Sequence, residues 1–363
     1  MKGRDSGETR SADEIYIPES SRFLKADYSE EPGREIIKEI REFVANGGEP
    51  HLWRGHTHNR PPSDARVKYL DDFSLSDERR RLKRWAVCPV CHPSTRHYGK
   101  RPGMIAWFPD EGIIRLIGPD CFKTLNATGH KEAEEELQRR KKRDREIDFL
   151  LQSHAKFVGI LRSLTASHAV ASALDTFGKD LRDAVYNRAD IDLWRFVRAG
   201  FLNVKQEYDD LRPSRTGEAI IVKAEREVQY GTLRGHNLLN PRLKNLEPRF
   251  EAPKQALNHY LRDSSWTERV ERLNDAQREA LYNDMSTVLK TARELIDTVK
   301  TLKEFLLPVN IATLRAWGQK PEAPVSIYAR LRGGALRIGP AEDRAFAVAI
   351  PQDMDRDIPE YPR

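Results

Sequence analysis

The chain has 363 residues, of which 33% are charged and 39% hydrophobic, and its formal net charge is +6. This length allows two or three domains, and the high charged fraction favours long, solvent-exposed helices over one large round core. No uninterrupted apolar stretch reaches the roughly 18 to 20 residues of a membrane span, and residues 1–14 lack the apolar centre of a signal peptide. We therefore predict a cytoplasmic protein with no membrane partner.

Residues 1–75 are predicted to combine one helix with polar loops. The helix begins after Gly33 and ends at Asn46-Gly47-Gly48. His51, His56 and His58 follow in a loop that brings no carboxylate or cysteine with it. We interpret this loop as solvated and not as a metal site. The helix presents one apolar face, made by Ile36, Ile37, Ile40, Phe43 and Val44.

All three cysteines of the chain lie in one short segment. Cys88 and Cys91 form a Cys-Pro-Val-Cys knuckle, and Cys121 follows two predicted strands, Met104–Phe108 and Ile113–Ile117. Thiolates at this spacing are typical of a structural zinc site with four nitrogen or sulfur ligands. A redox pair on a thioredoxin-like fold is the alternative, but no βαβ pattern surrounds the knuckle. We therefore predict bound zinc as the cofactor.

The segment from about Trp85 to His130 resembles a treble-clef or zinc-ribbon knuckle. The resemblance implies that the helix after Cys121 supplies the fourth ligand from its first turn. This chain has Thr124 and Leu125 there, and neither side chain is a zinc ligand. The sequence therefore departs from the pattern at the position of the fourth ligand.

A histidine has to complete a four-ligand site. His97 and His130 are favoured equally, since the chain has enough slack to bring either one to the cysteines. His92 follows Cys91 directly, and we expect the tight turn to point it away. The remaining alternatives are three cysteines with a water molecule, or no metal. The predicted metal ligands are thus Cys88, Cys91 and Cys121, with His97 or His130.

Positive charge is concentrated beside the cysteines. Residues 78–101 contain eight basic residues and one acidic residue, a net charge of +7, so the rest of the chain has a net charge of −1. Clustered positive charge attracts phosphate backbones. The neighbouring Trp85, Tyr98, Trp107 and Phe108 either stack nucleic-acid bases or form the core of a small module. The predicted nucleic-acid contacts are Arg79, Arg80, Arg81, Lys83, Arg84, Arg96, Lys100 and Arg101.

Two long helices are predicted after residue 130. Lys131 to about Thr165 has acidic residues early, basic residues late and one apolar stripe. Thr267–Leu307 carries apolar residues alternately four and three positions apart, which is a heptad pattern. We expect the two helices to pack as an antiparallel stem. The heptad residues are Leu281, Met285, Val288, Ala292, Leu295, Val299, Leu302 and Leu306.

Shorter elements are predicted between and after these helices. The segment between them should contain two helices and one strand pair, forming a cap on the stem. The carboxyl-terminal segment should contain three strands, with Gly333-Gly334 at a hairpin turn. The cap elements are Ala169–Tyr186, Ile191–Leu202, Ala219–Lys223 and Glu227–Leu233. The carboxyl-terminal strands are Val325–Leu331, Ala335–Ile338 and Ala345–Ile350.

These elements together predict a mainly α fold with small β elements. It would combine a zinc-ribbon or treble-clef-like module with long, antiparallel, coiled-coil-like helices. The predicted domains are residues 1–75, a basic zinc module at 76–130, a long-helix stem with its cap at 131–310, and a β element with a tail at 311–363.

Short catalytic motifs are absent, including phosphate-binding glycine loops, nucleophile elbows and the His-Glu-x-x-His zinc motif. We therefore predict a non-enzymatic, zinc-stabilised protein that binds DNA or RNA in a regulatory or defence-associated role. The alternative is a coiled-coil scaffold whose long helices mediate self-association or docking of a protein partner.

Overall fold

A computed structural model describes residues 15–23, 25–213 and 219–362. Residues 1–14, on which the expectation about a signal peptide depends, lie outside the described residues. The chain divides into two compact units, Met1–Arg145 and Glu146–Arg363, which we call unit 1 and unit 2. Each unit has a buried apolar core of its own. The finer division into four domains stays a prediction.

The described residues of unit 1 form two small antiparallel sheets. Its three-stranded sheet has the order β1-β4-β5, and β2 pairs with β3 in a separate hairpin. Strands β4 and β5 form the predicted hairpin, and both are buried along their whole length. The elements of unit 1 are α1 (Glu19–Arg22), α2 (Arg34–Ala45), β1 (Lys68–Phe73), α3 (Asp77–Arg81), β2 (Ala86–Cys88), β3 (His92–Tyr98), β4 (Gly103–Phe108), β5 (Ile113–Ile117) and α4 (Pro119–Leu125).

One helix, α5 (Ala127–Arg182), is 56 residues long and continues as a π-helical turn, Asp183–Arg188. The prediction that this helix ends near Thr165 is wrong. Its hydroxyl-bearing residues do not break it, because the Thr165 hydroxyl donates to the Leu161 carbonyl oxygen at 2.8 Å. Ser163 bonds back to Gly159 in the same way at 3.1 Å. The predicted separate helix at 169–186 is therefore part of the same long helix.

Among the described residues, the stretch Ala127–Arg188 is long and apolar enough to cross a membrane by length and composition. Half of its apolar window is buried inside the protein, and a core helix of a soluble protein passes the same test. This is weak evidence for a span. No multi-span pattern occurs in the described ranges. The cytoplasmic location itself stays a prediction.

Unit 2 contains a two-stranded ribbon, β6–β7, and a three-stranded antiparallel sheet in the order β10-β9-β8. The second and third carboxyl-terminal strands lie within one residue of their predicted bounds, whereas the first begins at Tyr328 and not at Val325. The predicted strand pair within 219–233 is wrong, since residues 219–232 form one strand that pairs with β6. After α5, the elements are α6 (Leu193–Val197), β6 (Phe201–Pro213), β7 (Ala219–Thr232), α7 (Glu251–Leu261), α8 (Trp266–Arg272), α9 (Asp275–Lys303), α10 (Pro308–Gly318), β8 (Tyr328–Arg332), β9 (Ala335–Gly339) and β10 (Phe346–Ala349).

The predicted fold class is wrong. The described residues are 50% helical and 20% strand, with four small antiparallel sheets and one long helix instead of several coiled-coil-like helices. Helix α9 has only 29 residues, because Asn274 and Gln277 form a capping box that separates it from α8. The heptad residues Met285 and Leu295 are fully buried in the common core of unit 2. A heptad stripe predicts a buried face, and here many elements cover that face.

Candidate metal centre and basic surface

Two turns in unit 1 bring the three cysteines together. Cys88 ends β2, and Cys91 stands directly before β3, so both lie at the turn of one hairpin. Cys121 lies in the first turn of α4, where Gly118 is the N-cap and Pro119 is the first helical residue. The three sulfur atoms all lie within 4.8 Å of one another. This spacing allows all three to bind one metal ion.

His97 supplies a fourth donor atom. Its Nε2 lies 3.3 Å from the Cys91 Sγ and 3.1 Å from the Cys121 Sγ. A tetrahedral zinc site with ordinary bond lengths separates its sulfur and nitrogen ligands by about 3.5 Å. The His97 nitrogen thus lies beside two of the three sulfurs, and Cys91 belongs both to the group of three cysteines and to the group with His92 and His97.

Burial makes the uncharged form of the Cys88 thiol favourable in the absence of a cation. It raises the pKa of the Cys88 thiol to about 12. The hydrogen bond with Cys88, followed by burial, raises the pKa of Cys91 as well. The Gly118 N–H donates to the Cys88 Sγ at 3.5 Å, which favours the charged form. Thiolates at these positions need a bound cation, as ligating thiols do in metal sites.

His92 lies closer to this centre than we expected. The ligand atoms of Cys91, His92 and His97 form a second group within 4.8 Å, and the rings of His92 and His97 meet edge to face at 4.6 Å. The expectation that the turn points His92 away is wrong. A bulged register in the β2–β3 hairpin brings the two rings together.

His130 has different partners. Its Nδ1 shares a hydrogen bond with the Tyr69 hydroxyl at 2.8 Å, and its Nε2 lies 3.4 Å from the Glu134 carboxylate. The structure does not bring it to the three cysteines. The four-residue spacing of His130 and Glu134 on a helix was the available sequence signal for this pair.

Two of the eight predicted nucleic-acid contacts point inward. The Arg79 and Arg96 guanidinium groups each bond to Glu49 at 2.7 Å, and Arg79 is buried. Burial opposes the charge of Glu49, but the two arginines together hold its pKa below the usual value. The sequence analysis did not predict a role for Glu49, because no motif indicates that a carboxylate pairs with an arginine 30 residues later, Arg79.

The other six basic side chains are exposed. Ala86 pairs with Tyr98, so the residues before β2 and after β3 leave the hairpin at the same end. Arg80 pairs with Asp77, and Arg101 lies 3.5 Å from Asp120. We call these six residues the basic surface: Arg80, Arg81, Lys83, Arg84, Lys100 and Arg101.

The neighbouring aromatic side chains belong mainly to the core. Tyr98, Trp107 and Phe108 are buried in unit 1, and Trp85 is partly buried against the same core. Of the two interpretations of these residues, the structure agrees with the core role for the three buried ones. Base stacking by them would require unit 1 to open.

The histidine loop is buried, so the interpretation as a solvated loop is wrong. His51, His56 and His58 are each at most 3% exposed. The Leu116 N–H donates to the His56 Nδ1 at 3.0 Å, which leaves the His56 Nε2–H to donate to the His58 Nδ1 at 2.9 Å. The His58 Nε2–H in turn donates to the Pro93 carbonyl oxygen at 2.8 Å. These bonds satisfy the two imidazoles without a metal.

No family model matches this chain, and no curated protein or solved structure matches it either. The resemblance to treble-clef and zinc-ribbon knuckles therefore contributes no further ligand or role. The candidate site consists of the side chains whose positions are described above.

Proposed function

We propose that unit 1 is a zinc-stabilised module that binds nucleic acid through the basic surface. Three thiolates and one imidazole are the donor set that zinc prefers, and four protein ligands close the coordination sphere. A closed sphere is typical of a structural ion. Under this proposal, Cys88, Cys91, Cys121 and His97 hold zinc, and the ion fixes the β2–β3 hairpin to α4.

One arginine supports the loop after α3, which carries Lys83 and Arg84 of the basic surface, and this observation carries the proposal. Arg79 is buried, and its guanidinium donates to the Arg84 carbonyl oxygen at 3.2 Å and to the Gly48 carbonyl oxygen at 3.4 Å. The last residue of α3 and the loop after it expose Arg81, Lys83 and Arg84.

Among the described residues, the side chains of Arg81, Lys83 and Arg84 have no acidic partner within 4.0 Å. Unpaired cations on a supported loop can neutralise phosphates without first breaking an ion pair. Phosphate contacts also release counterions, which contributes most of the affinity of nonspecific nucleic-acid binding. This function class does not require a base-specific contact.

The test is a triple substitution of Arg81, Lys83 and Arg84 by alanine in the full chain. Binding to labelled duplex DNA and to single-stranded RNA is measured by fluorescence anisotropy over a range of salt concentrations. For duplex DNA, the logarithm of the affinity should fall less steeply with salt in the variant, by about one unit of slope per lost phosphate contact. Arg79 is kept, since its removal would unfold the loop.

A matched control removes three exposed cations of unit 1 that lie outside the basic surface. Arg34, Lys38 and Lys131 have side chains at least three-quarters exposed, and their substitution by alanine gives the same net charge. This control should keep the affinity and the salt slope of the unsubstituted protein. Equal losses in both triple variants, or no binding by the unsubstituted protein at low salt, would contradict the proposal.

A further inference from the structure

Three exposed side chains beside the cysteines form a second group of possible metal ligands. The ligand atoms of Cys91, His92 and His97 lie within 4.8 Å of one another, and all three residues are exposed. Thiolate sulfur and imidazole nitrogen are donors that zinc binds. The function proposed for unit 1 uses Cys91 and His97 but gives no role to His92. We call Cys91, His92 and His97 the outer group.

The four ligands proposed for zinc, which we call the inner group, are less accessible to solvent. Cys88 is 0% exposed and Cys121 is 9% exposed. Cys91, in contrast, is exposed. A hydrated ion can therefore contact the outer group directly, whereas the Cys88 sulfur is enclosed by the core of unit 1. The outer group offers three protein ligands, and a water molecule can complete a coordination sphere of four.

Two residues, Cys91 and His97, belong to both groups. The His97 Nε2 lies 3.3 Å from the Cys91 Sγ and 3.1 Å from the Cys121 Sγ. An ion bound to Cys91 and His97 would thus already lie beside the Cys121 sulfur. It could exchange its other ligands one at a time while these two stay bound. Such an ion would pass from the outer group to the inner group without returning to the solvent.

The register of the β2–β3 hairpin places the exchanging ligands next to each other. Cys88 and His92 are paired directly across the two strands. Side chains at directly opposite positions lie on the same face of a sheet and are close neighbours. On its other side, the His92 ring meets the His97 ring edge to face at 4.6 Å. His92 therefore lies next to Cys88, which would replace it, and next to His97, which would stay bound.

We propose that the outer group is the entry site for the metal ion of unit 1. This inference rests on the zinc centre of the proposed function. The ion first binds Cys91, His92 and His97, with water as the fourth ligand. Cys88 and Cys121 then replace His92 and the water. Each of the three cysteine thiols releases its proton to the solvent as it binds the ion.

The first test follows the uptake of cobalt(II) by the reduced, metal-free full chain in a stopped-flow spectrometer. Cobalt(II) is the probe because the absorbance of its thiolate complexes increases with the number of bound sulfurs. The unsubstituted protein should show a fast phase with one sulfur ligand and a slower phase with three. His92→Ala should abolish the fast phase and slow the overall uptake roughly tenfold. The final spectrum should be unchanged, because His92 is not in the inner group.

The release of cobalt gives a second measurement. If His92 assists only the transfer, its loss leaves the affinity unchanged and must slow uptake and release by the same factor. Transfer of cobalt from the loaded protein to an excess of chelator should therefore also be roughly tenfold slower in His92→Ala. A purely structural role of His92 would change the affinity and leave the two rates altered by different factors.

His259→Ala is the matched control. His259 is an exposed histidine of unit 2, and within the described ranges it belongs to neither group of possible metal ligands. Its substitution should leave both rates unchanged. Equal rates in the unsubstituted protein and in His92→Ala would overturn the proposal, and so would a changed final spectrum, which would make His92 a ligand of the final site. An unsubstituted protein that binds no cobalt would contradict the metal centre itself, and this proposal with it.

Discussion

Gly118 stands where the metal centre leaves no room for a side chain. A Cβ atom at this position would lie 3.0 Å from the Cys121 Sγ and 3.1 Å from the Tyr98 Cβ. Its φ of −76° is open to any residue, so the requirement for glycine is one of space. Both neighbours are held by the core of unit 1, which limits how far either one can move.

Gly118→Ala should weaken metal retention. The added methyl group pushes the Cys121 sulfur away from the other donors, and ligand geometry controls affinity. Competition with a chromophoric chelator should show faster and more complete metal release than in the unsubstituted protein. Thr124→Ala in the same helix is the control, because the Thr124 hydroxyl contacts only the Asp120 carbonyl oxygen in the described part of the chain. Equal release by both variants would contradict this account of Gly118.

The buried histidine pair makes unit 1 sensitive to acid. Burial lowers the pKa of His58 from 6.5 to about 4, and it lowers the pKa of His56 well below the usual value. In each ring the acceptor nitrogen already faces an N–H donor, so protonation would break the chain of hydrogen bonds. The stabilising effect of neutral His58 is fully present above pH 6.5, the pKa of the unfolded chain. It is lost as the pH falls from 6.5 to 4.

Replacement of His58 by glutamine should remove this pH dependence. A pKa difference of this size between the folded and unfolded chain corresponds to about 3 kcal/mol of unfolding free energy. Urea unfolding of both proteins is measured between pH 4 and pH 7.5. The difference between the unfolding free energies of the two proteins should shrink as the pH falls. Release of metal in acid affects both proteins equally, so it does not contribute to this difference. A difference that stays constant would show that His58 is not responsible.

At the residue scale, the sequence predicted part of the metal centre. The spacing of the cysteines and the turn before Cys121 were sufficient to group the three sulfurs. The choice between His97 and His130 depends on a bulge in β3 and on the partner Tyr69, and neither is encoded locally. The role of Arg79 as a support depends on Glu49 in a distant loop.

Among the elements, α9 shows why the heptad pattern misled the prediction. Leu295 lies at the centre of the stripe and is fully buried. Its neighbours belong to a common core that includes residues of α5, α7 and α10. Periodicity indicates which face is buried, but it contains no information on how many elements cover that face.

Leu295→Ala should therefore destabilise unit 2. A cavity in a packed core costs about 2 to 5 kcal/mol for this substitution. Leu307→Ala is the control, since this side chain is 39% exposed, and it should cost less than about 1 kcal/mol. Thermal or chemical unfolding of each variant gives both values. Similar costs at the two positions would show that the stripe is not buried as described.

The length of α5 was missed for a different reason. Serine and threonine in a helix usually suggest an end, because their hydroxyls compete for backbone groups. Here those hydroxyls bond to carbonyl oxygens four residues earlier, and apolar residues such as Val170 and Leu174 continue the buried face. Whether the helix ends at these residues or continues through them depends on packing against the core of unit 2.

For the molecule as a whole, the two separate cores predict two responses to chelation. All four proposed metal ligands belong to unit 1, so a bound ion should stabilise that unit only. Differential scanning calorimetry with and without a strong chelator should show one unfolding transition that moves to lower temperature and one that does not. The Leu295→Ala substitution identifies the unfolding transition of unit 2, because it should lower the temperature of that transition. The chelator should leave the temperature of this same transition unchanged. Equal shifts of both transitions would contradict separate stabilisation.

Under the proposed function, Cys88, Cys91, Cys121 and His97 hold one structural zinc ion. Elemental analysis of the full chain, as purified without added metal, measures whether this ion is present. We expect about one zinc per chain, a clear loss in His97→Ala, and no loss in the matched variant His130→Ala. A preparation that is folded and contains no metal, or one that loses its metal in His130→Ala and keeps it in His97→Ala, would contradict the account.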